Sequence, residues 1–146
     1  SDVCSSDLGA WLGVMLAHAM FDERLLMLSH HVRTGPSQVL SEFVATFGLL
    51  AVIWGCSRTR SASVPFAVAA YIASAYWFTA STSFANPAVT IARAFTDTFT
   101  GIRPTDVPGF LVGQAAGAAA ATMLCKWLVP ALPAGADTVV MPHDAG

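Results

Sequence analysis

The sequence predicts an all-α membrane protein, and three observations carry that reading. Hydrophobic residues make up 55% of the 146-residue chain and charged residues only 11%, against about 25% charged in an ordinary soluble domain. The mean hydropathy is +0.60. Residues 61–92 form a run of 32 without Asp, Glu, Lys, Arg or His, whereas a helix needs about 20 apolar residues to cross a bilayer. The net charge of −2, from 7 basic and 9 acidic residues, offers no basic face, which excludes nucleic acid as a partner. Cys4, Cys56 and Cys125 are too few and too scattered for a disulfide framework or a zinc site. No metal and no cofactor is expected. Neither a nucleophile with its base, nor a phosphate loop, nor a carboxylate pair is present, so an enzyme is not expected.

Four apolar stretches follow along the chain. Residues 1–8 carry Asp2 and Asp7 and no basic n-region, so they do not read as a signal peptide. Residues 9–21 are too short to span and contain His18 as their one titratable group. Residues 38–57 are long enough to span, with Glu42 near one end. An ionisable group within a span is costly and calls for a partner; the alternative is a Glu at the interface that just reaches water. Residues 64–82 form the next span. Residues 107–129 form the last, continuing past Lys126 after 19 charge-free residues. The aromatics Tyr76, Trp77 and Phe78 read as packing or lipid contact. His30 and His31, in a connector with Arg33, read as an exposed loop. Residues 130–146 lack periodicity and read as a disordered tail.

The charge-free run is too long for one span and too short for two. Its surplus opens with Asn86-Pro87, which suits a helix start, with Asn as N-cap and Pro at the first helical position. A half-helix over residues 87–95, starting at membrane depth, must keep its non-helical approach buried in protein or facing water. The connector with Arg58 and Arg60 holds no acid, so the positive-inside rule makes it cytoplasmic. Gly9, Gly13 and Ala17 form one small-residue stripe, and Gly113, Gly117 and Ala121 another. Such stripes let transmembrane backbones approach closely.

Ser83-Phe84-Ala85-Asn86-Pro87-Ala88-Val89-Thr90, at the end of a charge-free span, resembles the second half of the aquaporin (major intrinsic protein) family. Gln114-Ala115-Ala116-Gly117-Ala118 matches a pattern of the family's sixth span. The resemblance covers residues 9–129 and implies the C-terminal half of an inverted-repeat bundle with one re-entrant half-helix. The first two spans and the first Asn-Pro-Ala are absent. Residues 1–8 are polar where the family has membrane-buried residues, and are taken as a non-native scar.

The resemblance also implies roles. Asn86, Pro87, Ala88, Val89, Ser74 and Ser83 would line a pore, with the Asn86 amide donating to a passing solute oxygen. Glu42 would support the re-entrant loop by accepting its backbone N–H groups. Most members carry Arg directly after the second Asn-Pro-Ala, where this chain has Val89. Arg93 lies one turn further, about 6 Å along the same face at 1.5 Å per residue. It would either restore a charge at the vestibule or form an i,i+4 surface pair with Asp97. The function implied is a passive channel for water and small neutral solutes, including glycerol, in a lipid bilayer and as a homotetramer. Two rivals stand beside it: a non-conducting membrane fragment or interaction protein, and an ion-coupled secondary transporter.

Overall fold

The computed structural model describes residues 2–128, with side chains from residue 8 onward. Five α-helices follow one another: α1 (Asp2–Met20), α2 (Pro36–Thr59), α3 (Val64–Phe78), α4 (Pro87–Ala92) and α5 (Val107–Leu128). Single 3₁₀ turns precede α3 (Ser61–Ser63) and α5 (Pro104–Asp106), and another extends α4 (Arg93–Phe95). Three helical stretches are long and apolar enough to cross a membrane: Pro36–Thr59, Ser61–Phe78 and Pro104–Leu128. The apolar part of α1, Leu8–Met20, is shorter. The helix itself starts at Asp2, upstream of the boundary read from the sequence. The tail at residues 130–146 and the last residue of the 107–129 span lie outside the described residues.

Prolines and a glycine set the helix starts. Gly35, at φ 111°, turns the chain into Pro36 at the head of α2. Its missing Cβ is what makes that backbone accessible. Pro65 sits in the first turn of α3 and Pro87 opens α4, where an N–H would have no helical partner anyway. The sequence placed the end of the third stretch at Thr82; the helix ends four residues earlier, at Phe78. Thr79 turns to extended backbone while its hydroxyl donates to the Ala75 carbonyl at 2.6 Å. Thr82, Ser83 and Ala85 then take φ of 62°, 51° and 49°, left-handed values uncommon for residues with a Cβ. Nothing continues α3 into α4.

Helix α2 lies between α3 and α5 and packs most extensively on α5. The α2–α5 contact depends on Gly113 and Gly117. A Cβ on Gly113 would meet the Val39 carbonyl oxygen at 2.6 Å, and one on Gly117 the Phe43 carbonyl oxygen at 2.4 Å. Both clashes are with backbone, so α5 would have to move as a body. On the other side of α2, the Tyr71 hydroxyl donates to the Ala45 carbonyl at 3.0 Å and fills the space over Gly48.

Gly117→Ala is therefore expected to cost about 1–3 kcal/mol, the range for overpacking a close contact. Gly109→Ala is the control, because its Cβ would meet Val39 Cγ2 at an ordinary 3.5 Å. Thermal unfolding in detergent checks this: equal melting temperatures for the two variants would refute the close-approach reading.

The other stripe makes no such close approach among the described residues. Gly9 and Gly13 are exposed, and a Cβ at either would meet nothing within 4 Å. The physical reason is the neighbourhood of α1, which makes its main contacts with α4. Gly13 lines the groove between α1 and α4, where no atom of α4 comes within 4 Å of an added Cβ. Phe66, Trp77, Met123 and Trp127 are also exposed, at 79%, 91%, 73% and 76%. Apolar exposure on that scale marks surface meant for lipid or further protein.

Candidate functional site

The segment between α3 and α4 has the backbone of a functional loop, with three non-glycine residues in left-handed conformation within four positions. Such residues cost of order 1–3 kcal/mol each and persist only when their surroundings over-determine them. Glu42, fully buried in the second turn of α2, is the main determinant. Its Oε1 accepts from the Ser81 hydroxyl at 2.6 Å and the Phe84 N–H at 2.9 Å. Its Oε2 accepts from the Ala85 N–H at 2.9 Å and from Gln114 Nε2 at 2.6 Å. The interfacial position that the sequence left open for this carboxylate is not the one it takes.

Gln114 carries the network on to α4. Its Nε2 also donates to Thr90 Oγ1 at 2.8 Å, and the Thr90 hydroxyl donates to the Asn86 carbonyl at 2.9 Å. Asn86 is thus held from below while its own side chain caps the helix: Oδ1 accepts the Ala88 N–H at 2.9 Å. That bond fixes which end of the amide faces out. Nδ2, with two N–H donors, has no acceptor among the described residues, and Asn86 is exposed. Pro87 is exposed beside it, Ala88 and Val89 are half-buried, and Ser74 is exposed on α3 with its hydroxyl donating back to the Ala70 carbonyl at 2.8 Å.

Ser83 does not join that surface, contrary to expectation. It is only 3% exposed and its Oγ has no hydrogen-bond partner. The left-handed turn at Thr82–Ser83 folds the segment back over Ser81, whose Oγ accepts the Ser83 N–H at 3.3 Å, and this buries the side chain.

The alternatives left open for Arg93 resolve against the surface pair. Asp97 accepts instead from the His30 backbone N–H at 2.7 Å and pairs with its ring at 3.1 Å. Those His30 contacts, the backbone bond foremost, hold the Asp97 carboxyl below its ordinary pKa. The Arg93 guanidinium turns the other way. It stacks 4.3 Å from the Phe84 ring centroid, and its Nη2 donates to the Tyr76 hydroxyl. With Val89 and Ala92 it lines a groove of about 510 Å³ against α1.

Sequence reasoning missed Arg33, which it grouped with the exposed histidines. His30 and His31 are exposed, but Arg33 is 6% exposed and braces the whole end of the bundle. Its Nε donates to Gly101 O at 2.7 Å, Nη1 to Ser81 O at 2.9 Å and Nη2 to Phe99 O at 2.8 Å. Its backbone N–H donates to Asp106 Oδ2 at 2.9 Å. Burial is the main cause that lowers its pKa, with the Arg93 charge second. Phe84, Ala94, Ile102 and Phe110 form the apolar cluster beneath, the two phenylalanine rings 5.0 Å apart. His18 is also buried, pairing with Thr96 Oγ1 at 2.7 Å and with the Leu25 carbonyl at 3.1 Å.

The sequence that builds this short helix, its strained loop and its buried carboxylate is similar to that of a known protein. Over 126 residues, 86% of its length, the chain is 56% identical to aquaglyceroporin AqpS of Rhizobium meliloti (strain 1021). The chain belongs to the aquaporin family. It spans about half the length of that relative, the match covering 54% of it. No family model and no solved structure matches the chain. For an aquaporin the all-helical bundle with three membrane-capable helices is the appropriate architecture, and a membrane is its location. AqpS is by name a channel and not an enzyme.

Proposed function

We propose that this chain supplies the C-terminal half of a passive channel for water and small neutral solutes up to the size of glycerol. The observation that carries the reading is the Asn86 amide. Its oxygen is committed to the Ala88 N–H, its Nδ2 donors are unpaired among the described residues, and the loop before it is locked by Glu42. A fixed donor at a pore wall binds each solute oxygen in turn and orients it, without requiring reorganisation. Beyond Asn86 the wall is Val89, apolar and uncharged, so a polyol keeps its hydroxyl bonds to Asn86 while its carbons slide along the valine. Identity to a protein named as an aquaglyceroporin supports the solute class. An ion-coupled transporter needs a titratable pair at membrane depth. Here Glu42 is occupied by four donors, and both His18 ring nitrogens are engaged.

In this reading the loop of Arg58 and Arg60 is cytoplasmic, α4 enters from the outer side, and the complete channel is a homotetramer. The chain itself supplies one half of that pore, in keeping with a match that covers 54% of the relative's length. Stopped-flow light scattering on vesicles holding the full-length channel tests the proposal. Water and glycerol fluxes are both expected. Val89→Arg, which puts a charge and bulk at the wall, is expected to cut glycerol flux on the order of tenfold or more while water flux survives, the selectivity of a narrowed pore being set by diameter and lining groups. Water flux without glycerol flux in the unaltered channel would sink the wide-pore reading.

A further inference from the structure

The threonines that follow α4 form a chain of hydroxyls that begins at a buried histidine. His18, 3% exposed in the last turn of α1, pairs through Nε2 with Thr96 Oγ1 at 2.7 Å. Thr96, also buried, meets Thr98 Oγ1 at 3.1 Å, and Thr98 meets Thr100 Oγ1 at 2.9 Å. All four residues line the groove between α1 and α4. One contact sets the direction of every proton in this chain. His18 Nδ1 faces the Leu25 carbonyl oxygen at 3.1 Å, and a carbonyl only accepts. Nδ1 therefore carries the proton of the neutral imidazole, and Nε2 is a bare acceptor. Thr96 must donate to it. With its one proton committed there, Thr96 accepts from Thr98, and Thr98 in turn accepts from Thr100. Thr100 ends the chain with its proton committed and its lone pairs free, so it meets the groove as an acceptor.

An acceptor is what this wall otherwise lacks. The Asn86 oxygen is bonded to the Ala88 N–H, which leaves the two Nδ2 donors, and the Arg93 guanidinium has no acceptor at all. Glu23 is the other acceptor side chain on the groove, and it is exposed. The distinction matters more for a polyol than for water. Water in file passes its protons to the next water. A polyol hydroxyl is held apart from its neighbours by carbon and depends on the wall for an acceptor as well as a donor.

Protonation of His18 turns the chain round. Nε2–H then donates to Thr96, Thr96 to Thr98 and Thr98 to Thr100, and Thr100 presents its own proton to the groove. The charged groups that share the groove with His18 are Glu23 of the connector and Arg93 beyond α4. Asp97, beside the hydroxyl chain, is engaged by His30, and no residue of α2, α3 or α5 lines the groove.

Resting on the channel reading above, we infer that His18 is a positioning residue for polyol selection, which acts through Thr96 and Thr98 to make Thr100 an acceptor for solute hydroxyls. Glycerol and water flux are read in vesicles holding the full-length channel, at about pH 8 and about pH 5, the range in which histidines change charge. The glycerol-to-water ratio is expected to fall about fivefold at the lower pH, which is about 1 kcal/mol at about 1.36 kcal/mol per factor of ten. Thr98→Val cuts the chain while keeping the His18–Thr96 pair and every charged group, and is expected to lose this response. Thr98→Ser keeps the hydroxyl and is expected to retain it. His18→Gln is expected to hold one ratio at both pH values; if that variant does not fold, the two Thr98 variants decide.

A conducting channel whose ratio is the same at both pH values would overturn the inference. So would a response as large in Thr98→Val as in the unaltered channel, which would assign it to Glu23, Asp97 or His30. Loss of the response in Thr98→Ser would also overturn it, as the mark of packing rather than of a hydroxyl chain. A channel silent to both solutes at about pH 8 before any substitution would overturn the channel reading, and this inference with it.

Discussion

Glu42→Leu is expected to abolish the folded channel. The carboxylate is fully buried and accepts four hydrogen bonds, from Ser81, Phe84, Ala85 and Gln114. Each buried donor left without an acceptor costs about 1–3 kcal/mol. Two of the four are backbone N–H groups in a segment with no alternative partner, because its left-handed residues follow no helical or strand pattern. The summed penalty is comparable to the whole stability of an ordinary domain, about 5–15 kcal/mol. Glu42→Gln is the finer probe. One amide oxygen still accepts, but the NH₂ meets N–H donors head-on, so this variant is expected to fold poorly yet to keep its water-to-glycerol ratio in whatever channel survives. Yield of folded protein in detergent, followed by flux per folded channel, separates the two quantities. A Leu variant that purifies and conducts at normal levels would remove Glu42 from the role that its geometry assigns.

That Glu42 needs a partner was readable beforehand from a cost, and the family resemblance supplied the loop as that partner. A carboxylate within an apolar span must be neutral or paired, and the re-entrant segment offers donors with the opposite need. The start of α4 was readable for a similar reason, since the span arithmetic of residues 61–92 demands a break and Asn86-Pro87 supplies a helix start. What escaped was set by contacts remote in the chain. Arg33 bonds carbonyls 48, 66 and 68 residues away, and a carbonyl acceptor leaves no trace in residue type. Ser83 looked like wall because the family resemblance puts the position three before Asn86 on the pore. The left-handed backbone at Thr82, Ser83 and Ala85, positions without glycine, has no signature in the sequence. The Gly9–Gly13 stripe shows a limit of another kind, for small residues state how near a neighbour can come but not that the neighbour is there.

Arg33→Lys is expected to be the second most damaging change, although it conserves charge. The guanidinium reaches three carbonyls in three directions, at Ser81, Phe99 and Gly101. A lysine ammonium is a point charge on a flexible stem and does not reproduce that fork. At least two carbonyls lose their donor, and hydrogen bonds to charged groups contribute about 1.5–3 kcal/mol each, so a loss of about 3–6 kcal/mol follows. Ser81 makes the change a functional one as well. Its carbonyl accepts from Arg33 Nη1 and its hydroxyl donates to Glu42 Oε1, so one residue is pulled from both sides, five positions before Asn86. Arg33 and Glu42 therefore act on the Asn86 tip through a shared partner, and their effects are expected not to add. In a double-mutant cycle of Arg33→Lys and Glu42→Gln, read as unfolding midpoint in detergent, the coupling energy is expected to be about 0.5–3 kcal/mol, the range for residues in one hydrogen-bond network. Strict additivity would mean that the loop is held by two independent anchors and that Ser81 transmits nothing between them.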